Sequence, residues 1–220
     1  MTNNSTFTKF QEKKENIYLS LNGIHISEAK ITAALGLIPR GIFTSNSLTN
    51  VDCITLVEKE RAVMPPGIIA KILNHTNIKP EGSALVVGCG TGYLAAILSK
   101  LYSNIFAVES QVEAKSKASK NFLSLEIDNI ILFDSYTSKN IGQQGPYDLI
   151  YIEGGTEKIP PLFFDQLSDG GQLITYVPIN EKIGKIVSYV KKEAFWAKKI
   201  ILECWLPTFN EFKAKDKFVL

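Results

Sequence analysis

From Ser83 onward, apolar and polar positions follow one rhythm: short apolar runs alternate with segments whose apolar residues recur every three or four positions. "ALVVG", "IFAVE", "NIILF", "DLIYI" and "GQLITYV" each read as a buried strand. "YLAAILSKL" sets Leu94, Ile97, Leu98 and Leu101 at helical spacing, and "PPLFFDQLS" predicts a helix before the last of those strands. In "SQVE", Ser110 and Glu113 have the spacing of a capping box, which predicts a helix start. Strands and helices alternating in this way predict βαβ units. The expected fold is α/β: a Rossmann-like three-layer sandwich with a mostly parallel sheet. After Pro178 the order changes, and "KIVSYVKKEAFWAKKIILECWL" predicts a C-terminal antiparallel hairpin closing one sheet edge, with Trp196 and Trp205 packed there.

Upstream of Ser83 the pattern is helical but less regular. Ile17, Tyr18 and Leu21 share a stripe, and "SEAKITAALGLIP" predicts a short helix ending before Pro39. Residues 40–62 carry scattered β-branched positions to which no element is assigned. "PPGIIAKILNH" opens with prolines suited to a first helical turn and places Ile68, Ile69, Ile72 and Leu73 on one face. The economical organisation is one structural unit, with residues 1–80 as an N-terminal helical extension capping a site and 81–220 as the ligand-binding domain.

Composition narrows the function classes. A formal net charge of +2 is too small to argue for nucleic acid or a membrane surface as partner. The three cysteines, Cys53, Cys89 and Cys204, have neither CxxC spacing nor clustered histidines beside them, so no metal site is expected. With a polar start and no apolar run long enough to span a bilayer, the expected location is the cytoplasm. His25 and His75 are expected in surface or capping roles.

The candidate chemistry lies in "GCGTGY". Gly88, Gly90 and Gly92 fall where the first strong strand meets a helix, and glycine there lets backbone approach a ligand closely. Glu109 ends the second strand, where a carboxylate can accept hydrogen bonds from both hydroxyls of a ribose. Asp134 ends the third, placed to meet the amino edge of an adenine. Each has an ordinary alternative: a tight turn, a solvated charge, a turn-forming aspartate. Together they favour an adenosine-containing ligand. The alternating glycines differ from the GxGxxG that seats a pyrophosphate. A sulfonium-linked adenosine therefore fits better than a nicotinamide cofactor, which is kept as the distant alternative.

These residues resemble the protein-L-isoaspartate O-methyltransferases, within the class I S-adenosylmethionine-dependent methyltransferases. "GCGTGY" is similar to that family's glycine motif, "LGLIPRGIF" to its Pro-Arg-x-Phe segment, and "GPYDLIYIEGGTEKIPPLFFDQLSDGGQLITYVP" to its later block. The similarity runs over roughly residues 30 to 180. It implies S-adenosylmethionine as cofactor, contacted by Gly88, Cys89, Gly90, Thr91, Gly92, Tyr93, Glu109, Ser110, Asp134, Ser135 and Glu153, with Gly154 beside Glu153 on the pocket floor. It also implies an isoaspartyl protein or peptide as methyl acceptor.

Two positions depart from the family pattern. Val86 stands where an acidic residue could meet the cofactor's ammonium. "ERAVMPP" replaces a Gly-Gln-Thr-Ile-Ser-x-Pro-like run, which puts Met64 at the serine of the methyl-transfer site. A carboxylate acceptor is already the nucleophile near neutral pH and needs no general base. Alignment and water exclusion are then the protein's main contribution. The change to Met64 leaves three readings open: slowed methyl transfer, transfer to a different, small-molecule acceptor, or a homologue that binds cofactor without turnover.

Overall fold

A computed structural model describes residues 29–44, 53–137, 139–192 and 195–213. The predicted stripe at Ile17, Tyr18 and Leu21, and His25, lie outside them. The centre of the fold is a seven-stranded sheet. Its strands are β3 (Ser83–Val87), β4 (Asn104–Val108), β5 (Ile130–Phe133), β6 (Tyr147–Gly155), β7 (Leu167–Pro178), β8 (Gly184–Lys192) and β9 (Phe195–Cys204), in the order β5-β4-β3-β6-β7-β8-β9. The first five in sequence run parallel, and β8 and β9 form the expected antiparallel hairpin at the edge.

The central strands β3 and β4 are apolar after their first residue because both faces are covered there. Ala84 and Val86 of β3 enter one core cluster, and Leu85 and Val87 the other. Ile105 and Ala107 against Phe106 and Val108 repeat the division on β4. The first face is covered by α1 (Ala29–Leu37), α2 (Pro66–Leu73), α3 (Tyr93–Leu98) and α4 (Val112–Ser124). Covering on the second face is thinner. It consists of the short α5 (Pro161–Asp165) and residues such as Ile141, Phe209 and Phe212 from connecting and C-terminal segments.

Three local expectations are corrected. Residues 55–63, within the stretch read as a helical extension, form a small antiparallel pair, β1 (Thr55–Glu58) and β2 (Arg61–Val63). The buried Arg40 holds it in place, donating to the carbonyls of Cys53 at 2.7 Å, Val63 at 2.9 Å and Met64 at 3.1 Å. The capping box at Ser110 is not made: α4 begins after Gln111 with no side-chain cap. The Ser110 hydroxyl accepts instead from Arg61 Nη2 at 3.3 Å. The helix expected over "PPLFFDQLS" is present but shorter, Pro161–Asp165, because the chain enters β7 at Leu167. Trp196 packs against Phe164 with centroids 4.8 Å apart, as the edge-packing expectation requires.

Candidate functional site

The strand order reverses between β3 and β6, so the crevice of this sheet lies beyond their carboxyl ends. The glycine loop leaves β3 there. Gly88, Gly90 and Gly92 all have positive φ, +71°, +56° and +95°, a region open to glycine at little cost. The amides of Gly88 and Cys89 donate to the Val108 carbonyl at 2.8 and 3.1 Å, tying the loop to the tip of β4. Thr91 donates its hydroxyl to the Phe43 carbonyl at 2.7 Å, and Tyr93 packs its ring on Phe43 at 5.3 Å. The buried Tyr93 hydroxyl has no partner among the described residues. Cys89 is buried, and burial, then the nearby Glu109 and Glu153, push its thiol well up.

Glu109 follows β4 and is fully buried. Its amide donates to the Phe133 carbonyl at 3.0 Å, bringing the tips of β4 and β5 level. Its carboxylate receives four donors: Arg61 Nε at 2.8 Å, Arg61 Nη2 at 2.9 Å, the Gly90 amide at 2.7 Å and the Gln111 amide at 2.9 Å. Asp134 stands exposed at the next tip, 4.0 Å from Lys115 Nζ, with the Ser135 hydroxyl 3.2 Å from its Oδ1. Glu153, near the end of β6, is buried with Oε2 unpartnered among the described residues. Burial first, then repulsion from Glu109, raises its carboxyl well above the usual range, against the pull of Arg61. The structure thus gathers the glycine loop, Glu109, Ser110 and Glu153 near Arg61 at the strand tips, while the Tyr93 ring packs in the core against Phe43. Asp134 and Ser135 are farther out on the same rim.

Two side chains that the pattern of the sequence does not single out occupy this crevice. Arg61, 2% exposed, lies across the loop, and its side-chain Cβ is 3.5 Å from where a Cβ on Gly90 would be. Phe209 is fully buried, and a Cβ built on Gly88 or on Gly154 would each fall 2.2 Å from its ring. The Arg61 guanidinium carbon sits 4.1 Å from the centroid of the Phe209 ring, a cation–π stack. Pro207 to Phe212 are held on the end of β6 by backbone bonds: Gly155 donates to Pro207 at 2.8 Å and Phe209 to Gly155 at 3.1 Å. Glu211 reaches Arg61 Nη2 at 3.4 Å. Glu60 accepts from the Asn210 amide at 3.0 Å and from its side chain.

The residue types therefore suit an adenosine ligand: a glycine cradle, a strand-end carboxylate and an orphaned polar atom on the Glu153 carboxyl. The space does not, because Arg61 holds the Glu109 carboxylate and Phe209 fills the cradle. Met64, at the position of the expected serine, is fully buried, and its sulfur accepts from the Tyr151 hydroxyl at 3.8 Å. It is a core side chain here. Phe209 and Glu211 carry no periodic or motif signal; Arg61 was visible only as a charge in an otherwise apolar "RAVMPP".

The chain matches the family "Protein-L-isoaspartate(D-aspartate) O-methyltransferase (PCMT)" over residues 12–207, a span that stops short of Phe209. It is 26% identical to protein-L-isoaspartate O-methyltransferase 1 of Syntrophobacter fumaroxidans, over 81% of this chain and 83% of the relative. Against the protein-L-isoaspartate O-methyltransferase of Methanoculleus marisnigri it is again 26% identical, over 83% of this chain and 84% of the relative. Among solved structures, a protein-L-isoaspartate O-methyltransferase superposes with a TM-score of 0.79 at 22% identity, covering 90% of this chain and 66% of that one. A Plasmodium falciparum structure described as a putative protein-L-isoaspartate O-methyltransferase, in complex with S-adenosyl-L-homocysteine, gives a TM-score of 0.76 at 18% identity, over 89% and 97%. These superpositions establish the Rossmann-like methyltransferase fold. With nearly the whole described chain inside the match, the chain belongs to the protein-L-isoaspartate(D-aspartate) O-methyltransferase family, whose members use S-adenosylmethionine.

Proposed function

We propose that the chain is an S-adenosylmethionine-dependent carboxyl methyltransferase of the isoaspartyl type, acting on damaged protein or peptide in the cytoplasm. The observation that carries this reading is the junction of the glycine loop with the strand-end carboxylate: the Gly90 amide donates to Glu109 Oε2 at 2.7 Å at the switch point of a sheet of this family's fold. Three cysteines without CxxC spacing fit a reducing compartment.

When bound, the cofactor supplies an electrophilic methyl group. The chain's own residues give it a seat and keep water out. Glu109 is oriented by the Gly90 and Gln111 amides so that its oxygens face the crevice, where ribose hydroxyls would be received. Burial and the neighbouring Glu109 favour the protonated form of Glu153, and in that form its carboxyl can donate as well as accept there. Asp134 and Ser135 stand at the outer rim, where an adenine would be met. The acceptor carboxylate brings its own nucleophilic oxygen, so the absence of a serine at Met64 removes an orienting group and no proton acceptor.

Incubation with methyl-labelled cofactor and an isoaspartyl peptide, followed by alkaline hydrolysis, tests the proposal. A base-labile methyl ester on the isoaspartyl peptide, and none on the aspartyl control, is expected. Label on neither peptide at any protein concentration overturns it. Label on small-molecule acceptors alone would move the chain to a different acceptor class.

A further inference from the structure

We propose that this chain closes its own cofactor crevice: Arg61 and Phe209 hold the places that an adenosine ligand needs, and the ligand enters only when the Glu60–Arg61 turn and the Pro207–Phe212 segment withdraw together. The inference rests on the functional reading above, since it takes the crevice to be the cofactor's.

The substitution of one occupant for another is chemical as well as steric. The two N–H groups that Arg61 presents to the two oxygens of Glu109, at 2.8 and 2.9 Å, are the donors that a vicinal diol would otherwise present. The flat Phe209 ring lies over Gly88 and Gly154, where the lack of side chains lets a planar group come close to the backbone.

The two occupants are one assembly. Arg61 stacks on Phe209 and reaches Glu211, while Glu60 beside it receives the amide and side chain of Asn210. Segments 150 residues apart in sequence are thereby fastened to each other across the mouth of the crevice. Pulling one away breaks contacts of the other.

The closure is of a kind that can open. When Arg61 leaves, Glu109 keeps the Gly90 and Gln111 amides as donors, and incoming hydroxyls replace the two bonds it loses. The outer fastenings, Glu60 with Asn210, are exposed, and Glu211 is 30% exposed, so the assembly can be loosened from its solvent side. A competing internal occupant lowers the apparent affinity in proportion to the fraction of molecules in which the site is open.

The test is calorimetric titration of S-adenosylhomocysteine into the full chain and into the Arg61→Gln, Phe209→Ala and doubly substituted chains. Hydrogen exchange at the Gly155 and Phe209 amides is followed alongside, with and without the ligand. Tighter binding in each single variant, and a gain of about 100-fold in the double, are expected from release of a buried ion pair and a buried ring. In the unsubstituted chain the ligand should speed exchange at Gly155 and Phe209, because the bonds Gly155 donates to Pro207 and Phe209 donates to Gly155 must open to admit it. Equal affinity in all four chains overturns the closure and leaves the functional reading standing. Binding to none of them overturns both. If Phe209→Ala does not fold, as judged by near-UV circular dichroism, Phe209→Leu and Arg61→Gln carry the comparison. Faster exchange without tighter binding also counts against the closure.

Discussion

Arg61 and Glu109 meet as two forks, Nε on Oε2 at 2.8 Å and Nη2 on Oε1 at 2.9 Å, with side chains only 2% and 0% exposed. A bidentate pair removed from water to this degree is a different object from a surface ion pair. Its value lies less in attraction than in what happens when one partner is lost, because the other charge is then left in a medium that solvates it badly. Arg61→Ala is expected to cost about 3–5 kcal/mol of folding stability by urea denaturation. In a double-mutant cycle, Glu109→Ala should cost much less in the Arg61→Ala background than in the unsubstituted chain. Additive losses would show that the two side chains do not act as a pair.

The contact of Phe209 with Gly154 gives a prediction with an internal rescue. Gly154 has an ordinary φ, so alanine there is opposed by space alone, its Cβ falling 2.2 Å from the Phe209 ring. Gly154→Ala is expected to destabilise the chain by about 1–3 kcal/mol, the range for overpacking a filled site. In a Phe209→Ala background the same substitution should be close to neutral. Equal penalties in both backgrounds would place the Phe209 ring elsewhere in solution.

Glu153 sets a pH dependence. Burial and the neighbouring Glu109 raise its folded-state pKa well above the usual carboxyl value. The native state therefore holds the proton more tightly than the unfolded chain, where such a group titrates near about 4.3. Its contribution to stability is complete below that value and is lost as pH rises through the folded pKa. The melting temperature should fall as pH rises above the unfolded value and through the raised folded-state pKa, with each kcal/mol worth about 2–4 °C. Glu153→Gln, which keeps the shape and cannot ionise, should show a flatter profile and melt higher at the alkaline end. Parallel profiles for the two chains would remove Glu153 as the source.

Met64 separates packing from catalysis. Its side chain is fully buried against the Tyr151 hydroxyl. Met64→Ser deletes most of that volume and buries a new hydroxyl, and is expected to cost about 2–5 kcal/mol in a melting or denaturant assay. It should not raise methyl transfer by itself, because Arg61 and Phe209 still fill the crevice. A large gain in rate from this one substitution would show that the serine position, and not the occupied crevice, limits the chain.

What could be read from the sequence was local. The apolar runs of β3, β4 and β6 mark strands covered on both sides, and the glycines mark the turn at the first strand tip, because each rests on a few neighbouring residues. The tip of β4 was legible for the same reason. The partner of Glu109 was not: Arg61 lies 48 residues away, on a pair of strands of four and three residues, too short for a period of two to show. Phe209 was hidden more deeply, since an aromatic near the end of a chain has the same appearance whether it covers a sheet edge or fills a ligand seat. The capping box at Ser110 failed because tertiary contact outbid local pattern: once Arg61 reaches Glu109, Ser110 lies within its range and serves it.

Arg40 gives the Arg61 arm a fixed root. By gripping the carbonyls of Val63 and Met64, it pins the backbone two and three residues beyond Arg61, while Glu60 just before it turns through a left-handed φ of +60°. Any swing of the guanidinium out of the crevice is then a short lever stroke about a fulcrum at Val63.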